Sequence, residues 1–222
     1  VMLTHNQNID SLNFETLAAR IDVREVSALF TGGDLIAFFN WSEMKGATSI
    51  WSGLWGSIGE QLPKSLPMLV DFSDCSGRSP REIREILQVL GRYQKACSVC
   101  YSMNLNEAEQ FALKLGLSTG DPQELARTLY RQLQPKMVVI HLLNGCVYAA
   151  NETQGYIPNK LIPNPMLLTG AGDNFNAGLS FGMMLGLPIE SALLLGNAVS
   201  GYYIFHGQSP DRIQLVDWLE EY

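Results

Sequence analysis

A glycine-rich turn immediately before an apolar helix is the segment of this sequence best suited to chemistry. Residues 169–178 read Thr-Gly-Ala-Gly-Asp-Asn-Phe-Asn-Ala-Gly, and the helix is predicted to run to about Gly186. Small residues let a ligand approach the backbone closely, and the first N–H groups of a helix have no partner within it. The helix dipole also favours an anion at this end. The segment therefore suits a transferring phosphoryl group, whose charge spreads over its oxygens.

Asp173 follows this turn directly, and its residue type allows two interpretations. A carboxylate at the start of a helix can simply cap it. Beside a bound phosphate, it can instead accept the proton of an attacking hydroxyl. The residues alone leave both interpretations open. The segment is not a P-loop, because no Gly-Lys-Ser/Thr follows, and the nucleotide-binding pattern Gly-x-Gly-x-x-Gly does not occur in the chain.

The unbroken run Gly-Ala-Gly-Asp-x-Phe, Gly170 to Phe175, resembles the C-terminal signature of the ribokinase-like family, also called the phosphofructokinase B family. The resemblance implies an ATP-dependent kinase that phosphorylates a hydroxyl of a sugar, nucleoside or similar small molecule. It implies that Asp173 is the catalytic base. It also implies that the backbone amides of Gly170, Ala171 and Gly172 form an anion hole.

Further family positions can be matched along the chain. Asn106 and Glu109 match an Asn-x-x-Glu motif that helps to hold magnesium, partly through water, and magnesium favours such sparse oxygen ligation. The same two residues also have the spacing of a helix N-cap and its capping box. For the nucleotide, the resemblance implies contacts at Gly145, Asn197 and Gly207.

The chain also departs from the family pattern. Leu167-Leu168 replaces the Asp-Thr that precedes the glycine turn, so activation by a monovalent cation is not expected. The turn 141–145 lacks the first glycine of the family's Thr-x-Gly-x-x-Gly. The family's small β-sheet lid and its substrate motif are not found, so we expect the chain to be an N-terminally truncated fragment of a longer kinase. The alternative is a catalytically degenerate protein that binds a nucleotide or metabolite.

The remaining sequence alternates β-rich runs with amphipathic helices. Strands are predicted at residues 34–40, 68–72, 99–103 and 136–143, and helices at 48–61, from Ser79, at 106–115 and from Asp121. Gly145 is predicted to turn the last strand into residues 146–150. The alternation predicts one α/β domain over residues 1–222, with a mostly parallel sheet and helices on both faces. In such sheets ligands bind beyond the carboxyl ends of the strands.

Composition narrows the choice of partners. Fifteen Lys and Arg residues against 22 Asp and Glu give a net charge of −7, which argues against nucleic acid. No apolar stretch is long enough to span a membrane.

Cys97 and Cys100 have the spacing of half a zinc site, but without a second half we interpret them as structural. Reduced cysteines and the lack of an export signal favour the cytoplasm. An uncovered sheet edge would favour association, for instance into a homodimer.

Overall fold

Six strands form one mixed sheet in the order in which they occur in the chain. The computed structural model describes residues 7–151 and 153–220. The strands are β1 (Ile36–Phe38), β2 (Leu66–Asp71), β3 (Cys97–Asn104), β4 (Met137–Leu142), β5 (Gly145–Ala150) and β6 (Thr153–Pro158). Strands β1 to β4 pair in parallel, whereas β5 and β6 pair antiparallel. The predicted turn at Gly145 is confirmed and begins the antiparallel part, but β6 was not predicted.

Helices precede, connect and follow the strands. They are α1 (Gln7–Asp10), α2 (Phe14–Ala18), α3 (Val23–Gly32), α4 (Ala47–Ile58), α5 (Pro80–Tyr93), α6 (Leu105–Lys114), α7 (Pro122–Leu133), α8 (Ala171–Met184), α9 (Ile189–His206) and α10 (Arg212–Glu220). Short 3₁₀ turns lie at Gly59–Gln61 and Cys75–Gly77. Within the described ranges, no helix combines the length and the apolar character that a membrane span requires.

Alternate residues of the central strands pack against different helices. Met68 and Val70 of β2 belong to a core formed with α4, α5, α6 and α7. Leu69, which lies between them, belongs to a second core formed with α8 and α9. The strands are therefore buried on both faces, which explains their continuous apolar sequences. The predicted α/β fold with helices on both faces of the sheet is confirmed.

Helices α5 and α7 begin where they were predicted to begin, directly after Ser79 and Asp121. Ser79 caps α5, and its backbone N–H donates to Glu82 Oε2 at 2.8 Å in a reciprocal capping box. Pro80 occupies the first helical position, where its missing N–H has no consequence. Asp121 caps α7 through a 2.9 Å bond from the N–H of Gln123. Local side-chain chemistry therefore determines where these helices begin.

Helix α6 begins one residue earlier than the sequence analysis predicted. The predicted capping box of Asn106 and Glu109 is wrong, because β3 ends at Asn104 and that residue caps the helix. The N–H of Glu107 donates to Asn104 Oδ1, and the N–H of Asn104 donates to Glu107 Oε2, each at 2.9 Å. Both asparagines are followed by glutamate three residues later, so spacing alone does not choose between them. The end of the strand makes the choice.

A buried arginine fixes the loop after β1. Arg78, only 7% exposed, donates to the carbonyl oxygens of Trp41 and Met44 at 2.8 and 2.6 Å. It also pairs with Glu82 at 2.8 Å, and its guanidinium lies 4.7 Å from the centroid of the Trp41 ring. Because a guanidinium presents several donors in a rigid plane, one side chain holds this loop against the start of α5.

The four cysteines are buried and free. Burial raises the pKa of Cys97 to about 11 and that of Cys146 to about 12. The thiols are therefore protonated at neutral pH and are poor nucleophiles and metal ligands. Cys97 and Cys100 both lie within β3, one in each of the two cores. The structural interpretation of this pair is confirmed.

Candidate active site

Polar side chains gather where three parallel strands end. Strand β2 ends at Asp71, β3 ends at Asn104, and His141 is the penultimate residue of β4. Asn104 and His141 are paired in the register between β3 and β4. The carboxyl ends of neighbouring parallel strands lie at one edge of the sheet, so these side chains share an edge. The start of α8 lies against the same edge, because Gly172 lies beside His141 and the Asn176 amide donates to Asp71.

The glycine turn packs too closely for larger residues. Gly170 is the N-cap of α8 and has φ 93°, in the left-handed region. A Cβ at this position would lie 2.8 Å from the hydroxyl oxygen of Tyr203. A Cβ at Gly172 would lie 3.2 Å from Cε1 of His141. Both glycines therefore bring neighbouring side chains against the N-terminus of α8, where backbone N–H groups favour an anion.

Asp173 lies at the third position of α8 and is exposed. Gly170 is the N-cap residue, so the interpretation of Asp173 as the helix cap is wrong. The carboxylate is close enough to Asp71 for its charge to raise the pKa of Asp71. This interaction places Asp173 beside the carboxyl end of β2. Its role as a catalytic base stays a prediction.

A chain of short hydrogen bonds ties α8 to the ends of β2 and β3. The side-chain amide of Asn176, which is fully buried, donates to Asp71 Oδ2 at 2.7 Å. The hydroxyl of Ser102 donates to Asn176 Oδ1 at 2.6 Å. Asp71 Oδ1 accepts a 2.7 Å bond from the N–H of Ser73. Burial raises the pKa of Asp71 most, the two hydrogen bonds lower it, and the charge of Asp173 raises it further.

Glu107 is a second perturbed carboxylate at this edge. Its pKa is raised to about 7, first by burial and then by the negative charges of Asp71 and Asp74, although its bonds to Asn104 lower it. Sequence reasoning missed Asn104 and Glu107. The signal was present, because Asn-x-x-Glu occurs in two overlapping positions, 104–107 and 106–109. Asn106 is exposed, and the structure gives it no part in the capping box.

The described acidic residues at this edge do not by themselves provide a complete set of metal ligands. In the described part of the chain, no group of three or more His, Cys, Asp or Glu side chains could hold a metal by themselves. Magnesium, however, is usually bound by one or two carboxylates, with waters and substrate phosphates completing its shell. Glu107 and Asp71 are carboxylates whose pKa values are raised first by burial and then by negative charges nearby, those of Asp71 and Asp74 for Glu107 and that of Asp173 for Asp71. They fit such an open site.

The three predicted nucleotide contacts each have a structural role. Gly145 has φ 153°, and a Cβ there would lie 2.3 Å from the carbonyl oxygen of Ile157 in β6. Asn197 is buried, and its amide donates to the carbonyl oxygens of Ile157 and Pro158, each at 3.2 Å. Gly207 ends α9 with φ 70°. Contact of these residues with a nucleotide stays a prediction.

An aromatic groove of about 440 Å³ lies beside the C-terminal half of α9. The His206 ring stacks on Tyr202 with centroids 4.1 Å apart and lies 5.8 Å from the Trp218 ring. The ammonium of Lys160 lies 4.9 Å from the centroid of Trp218. These ring contacts show that His206 packs among aromatic side chains.

Comparison with known proteins gives a match over the whole chain. A family model described as prokaryotic ketohexokinase matches residues 1–222. A ketohexokinase of Haloferax volcanii is 24% identical over 219 residues, which cover 97% of this chain and 58% of the relative. The sugar kinase YegV of Escherichia coli is 35% identical over 153 residues, which cover 67% of this chain and 45% of the relative.

Solved structures show the same fold. The crystal structure of ribokinase from Thermotoga maritima superimposes with a TM-score of 0.65 at 17% identity, covering 91% of this chain and 60% of that one. The ribokinase-like fold expected from Gly170 to Phe175 is therefore confirmed. The chain spans about half the length of the relatives that it matches.

Proposed function

Because this chain belongs to the prokaryotic ketohexokinase family, whose model matches residues 1–222, we propose that it carries the catalytic and donor-binding part of a sugar kinase. The proposed reaction transfers the γ-phosphoryl group of ATP to a hydroxyl of a small molecule. The relatives are named ketohexokinase and sugar kinase, which favours a sugar over a nucleoside as the acceptor. Among sugars, a keto sugar is the first candidate.

The start of α8 is the observation that carries this proposal. Gly172 brings the helix N-terminus against His141 near the carboxyl end of β4, Gly170 packs against Tyr203 of α9, and Asp173 follows the turn directly. N–H groups that are fixed in advance stabilise the charge of a phosphoryl group without reorganisation. Under this proposal the amides of Gly170, Ala171 and Gly172 hold the phosphoryl oxygens, and the Ala171 N–H exchanges its 3.1 Å bond to the carbonyl oxygen of Leu168 for the phosphate. Asp173 accepts the proton of the acceptor hydroxyl.

The buried hydrogen bonds behind the turn position these groups. Asn176 lies one helical turn after Asp173, and its bonds to Asp71 and Ser102 fix α8 relative to two strands. Catalysis of phosphoryl transfer consists largely of positioning and electrostatic stabilisation. We therefore assign Asn176 and Ser102 a positioning role and no contact with the substrate.

Magnesium would supply charge neutralisation at the phosphates, and Glu107 with Asp71 is the pair of carboxylates that would hold it. Glu109, which the sequence pattern indicated, is the alternative to Glu107. The magnesium dependence of turnover distinguishes them. Under this proposal Glu107→Gln raises the magnesium concentration needed for half-maximal turnover, and Glu109→Gln does not.

The proposal is tested by acceptor-dependent ADP release from Mg·ATP with a panel of ketohexoses, aldohexoses and nucleosides. The assay uses this chain and any longer native form. Loss of a general base costs about 100- to 10,000-fold in rate, so Asp173→Asn should lower turnover by that factor while largely sparing nucleotide affinity. Equal losses of turnover and nucleotide affinity would indicate a structural role for Asp173 instead.

One observation favours a nucleotide-binding protein without turnover. The turn between β4 and β5 lacks the first glycine of the family pattern, and Leu143 in this turn is 91% exposed. A side chain at this point changes the surface that a nucleotide would approach. Nucleotide binding without phosphorylation of any acceptor in the panel, in every form tested, would support this second function and contradict the first.

A further inference from the structure

We propose that Tyr203 and Ser200 of α9 are positioning residues that fix the orientation of two backbone amides, the N–H groups of Gly170 and Gly172. This inference rests on the proposed function, because it assumes that these amides stabilise a transferring phosphoryl group. It adds a second helix to the site, since the turn leads into α8 whereas both side chains belong to α9.

Two hydroxyl groups of α9 donate hydrogen bonds to backbone carbonyl oxygens of the glycine turn. The Tyr203 hydroxyl donates to the carbonyl oxygen of Thr169 at 2.7 Å. The Ser200 hydroxyl donates to the carbonyl oxygen of Ala171 at 3.0 Å. Tyr203 and Ser200 are three residues apart, so their side chains lie on the same face of α9. This face of the helix therefore holds the turn at two points.

Each of these carbonyl groups shares a peptide plane with an amide of the proposed anion hole. The carbonyl of Thr169 and the N–H of Gly170 belong to one trans peptide unit. The carbonyl of Ala171 and the N–H of Gly172 belong to another. Within a trans peptide unit the C=O and the N–H point in opposite directions. A hydrogen bond that holds the carbonyl toward α9 therefore directs the N–H away from α9.

Glycine makes these two peptide planes the ones that need to be held. A peptide plane rotates when ψ of the residue before it and φ of the residue after it change together, and glycine allows φ values of either sign. Gly170 has φ 93°. Among the described residues, none accepts a backbone hydrogen bond from the N–H of Gly170 or of Gly172. The hydroxyls of α9 therefore supply an orientation that the turn itself does not fix.

Close packing between the two helices keeps the hydroxyls in place. A Cβ at Gly178 of α8 would lie 2.6 Å from the carbonyl oxygen of Leu195 in α9. A Cβ at Gly182 would lie 2.7 Å from Cα of Ala192. The two backbones are therefore in direct contact, and α9 cannot shift along α8 without steric overlap. Donors that are oriented before the reaction stabilise developing charge without reorganisation, so this rigidity favours catalysis.

The competing explanation is that the hydroxyls only stabilise the packing of α8 on α9. Tyr203→Phe removes one hydroxyl and keeps the ring that lies against Gly170, and Ser200→Ala removes the other hydroxyl. Tyr202→Phe is the matched control. It removes a hydroxyl from the adjacent residue of α9, whose ring stacks on His206.

The experiment measures turnover of Mg·ATP with the acceptor that the panel selects, in this chain or in a longer native form. The affinity for Mg·ADP is measured by titration calorimetry with and without aluminium fluoride, which mimics the transferring phosphoryl group. Melting temperatures serve as a check on folding. Because ADP lacks the transferring group, a positioning role predicts a loss of affinity only when aluminium fluoride is present.

The expected losses are smaller than those caused by deleting a donor. Complete loss of one oxyanion donor costs about 100- to 1000-fold in kcat, and a donor that is present but poorly oriented should cost less. We expect Tyr203→Phe to lower kcat by about 10- to 100-fold. Ser200→Ala should lower it by about 3- to 10-fold, the effect of one neutral hydrogen bond. The KM of the acceptor and the affinity for Mg·ADP alone should stay within about 3-fold of the wild-type values.

Four results would overturn the inference. Wild-type kcat in Tyr203→Phe would refute it alone and leave the proposed function intact. An equal loss in Tyr202→Phe would show that any hydroxyl of α9 has this effect. A fall in kcat with an equal loss of affinity for Mg·ADP alone, or with a lower melting temperature, would show a structural role. Absence of turnover and of any effect of aluminium fluoride in every wild-type form would refute the proposed function and this inference together.

Discussion

Replacing Glu107 by glutamine removes a carboxylate from the acidic edge of the sheet while keeping an oxygen that can still accept the capping hydrogen bond from the N–H of Asn104. The variant therefore isolates the electrostatic effect of the charge. Burial and the charges of Asp71 and Asp74 raise the pKa of Glu107 to about 7 from an ordinary value of 4.5. This difference makes the stability of the wild-type protein depend on pH.

The sign of the effect follows from proton binding. Between pH 4.5 and about 7 the folded protein holds the Glu107 proton more tightly than the unfolded chain does. The contribution of Glu107 to the free energy of unfolding therefore falls as the pH rises through this range and is constant on either side. The interval corresponds to about 3 kcal/mol at about 1.4 kcal/mol per pH unit. Because the side chain is partly exposed, solvent screening reduces the expected effect to about 1–2 kcal/mol.

The assay is urea unfolding of the wild-type protein and Glu107→Gln at about pH 5 and about pH 8, with a chelator present. We expect the wild-type protein to lose about 1–2 kcal/mol more than the variant between these pH values. Glu109→Gln removes a charge from the same helix without touching the cap, so it tests whether any charge loss has this effect. Magnesium should reduce the wild-type loss, since it binds the ionised carboxylate.

Parallel pH dependence in the wild-type protein and Glu107→Gln would refute the reasoning, because the burial and repulsion assigned to this carboxylate would then have no energetic consequence. An opposite sign would show that a cation or further hydrogen bonds stabilise the ionised form. If Glu107→Gln loses as much stability between the two pH values as the wild-type protein does, and Glu109→Gln loses none, then Glu109 and not Glu107 causes the pH dependence.

Gly170→Ala should lower the free energy of unfolding by about 1–3 kcal/mol, because φ is 93° and the new methyl group would lie 2.8 Å from the Tyr203 hydroxyl. Gly116→Ala, at φ 74° with open space around it, is the control for backbone strain alone, and an equal loss there by urea denaturation would contradict the steric part. Arg78→Met should lower the free energy of unfolding by about 3 kcal/mol or more, since the buried guanidinium makes four hydrogen bonds. Arg81→Met removes only an exposed salt bridge, so it should change the free energy of unfolding by no more than about 0.5 kcal/mol in the same assay.

Local patterns in the sequence determined the elements and the principal motif. The cap of α5 at Ser79 and the cap of α7 at Asp121 depend on side chains within one turn of the backbone, so short-range reasoning finds them. The central strands read as apolar runs because both faces of the sheet are buried. Gly170 to Phe175 carries its own signal, since a turn, a helix start and a carboxylate are contiguous in the chain.

Edge strands and competing registers were harder to predict. Strand β6 is mostly exposed and contains glycine, and it exists because it pairs with β5 and not because of its own sequence. The Asn-x-x-Glu spacing fits both 104–107 and 106–109. Pairing of β3 with β4 continues to Asn104, and this long-range hydrogen bonding decides which asparagine caps α6.

The α/β fold and the glycine turn could be predicted from the sequence by itself, because each strand, each helix and the turn is formed by residues that are contiguous in the chain. Only the tertiary structure brought Asp71, Asn176 and His141 together at one edge of the sheet, from segments separated by as many as 105 positions. Burial then raised the pKa of one of these groups and lowered that of another. Desolvation depends on what surrounds a side chain in space, and no spacing along the chain encodes it.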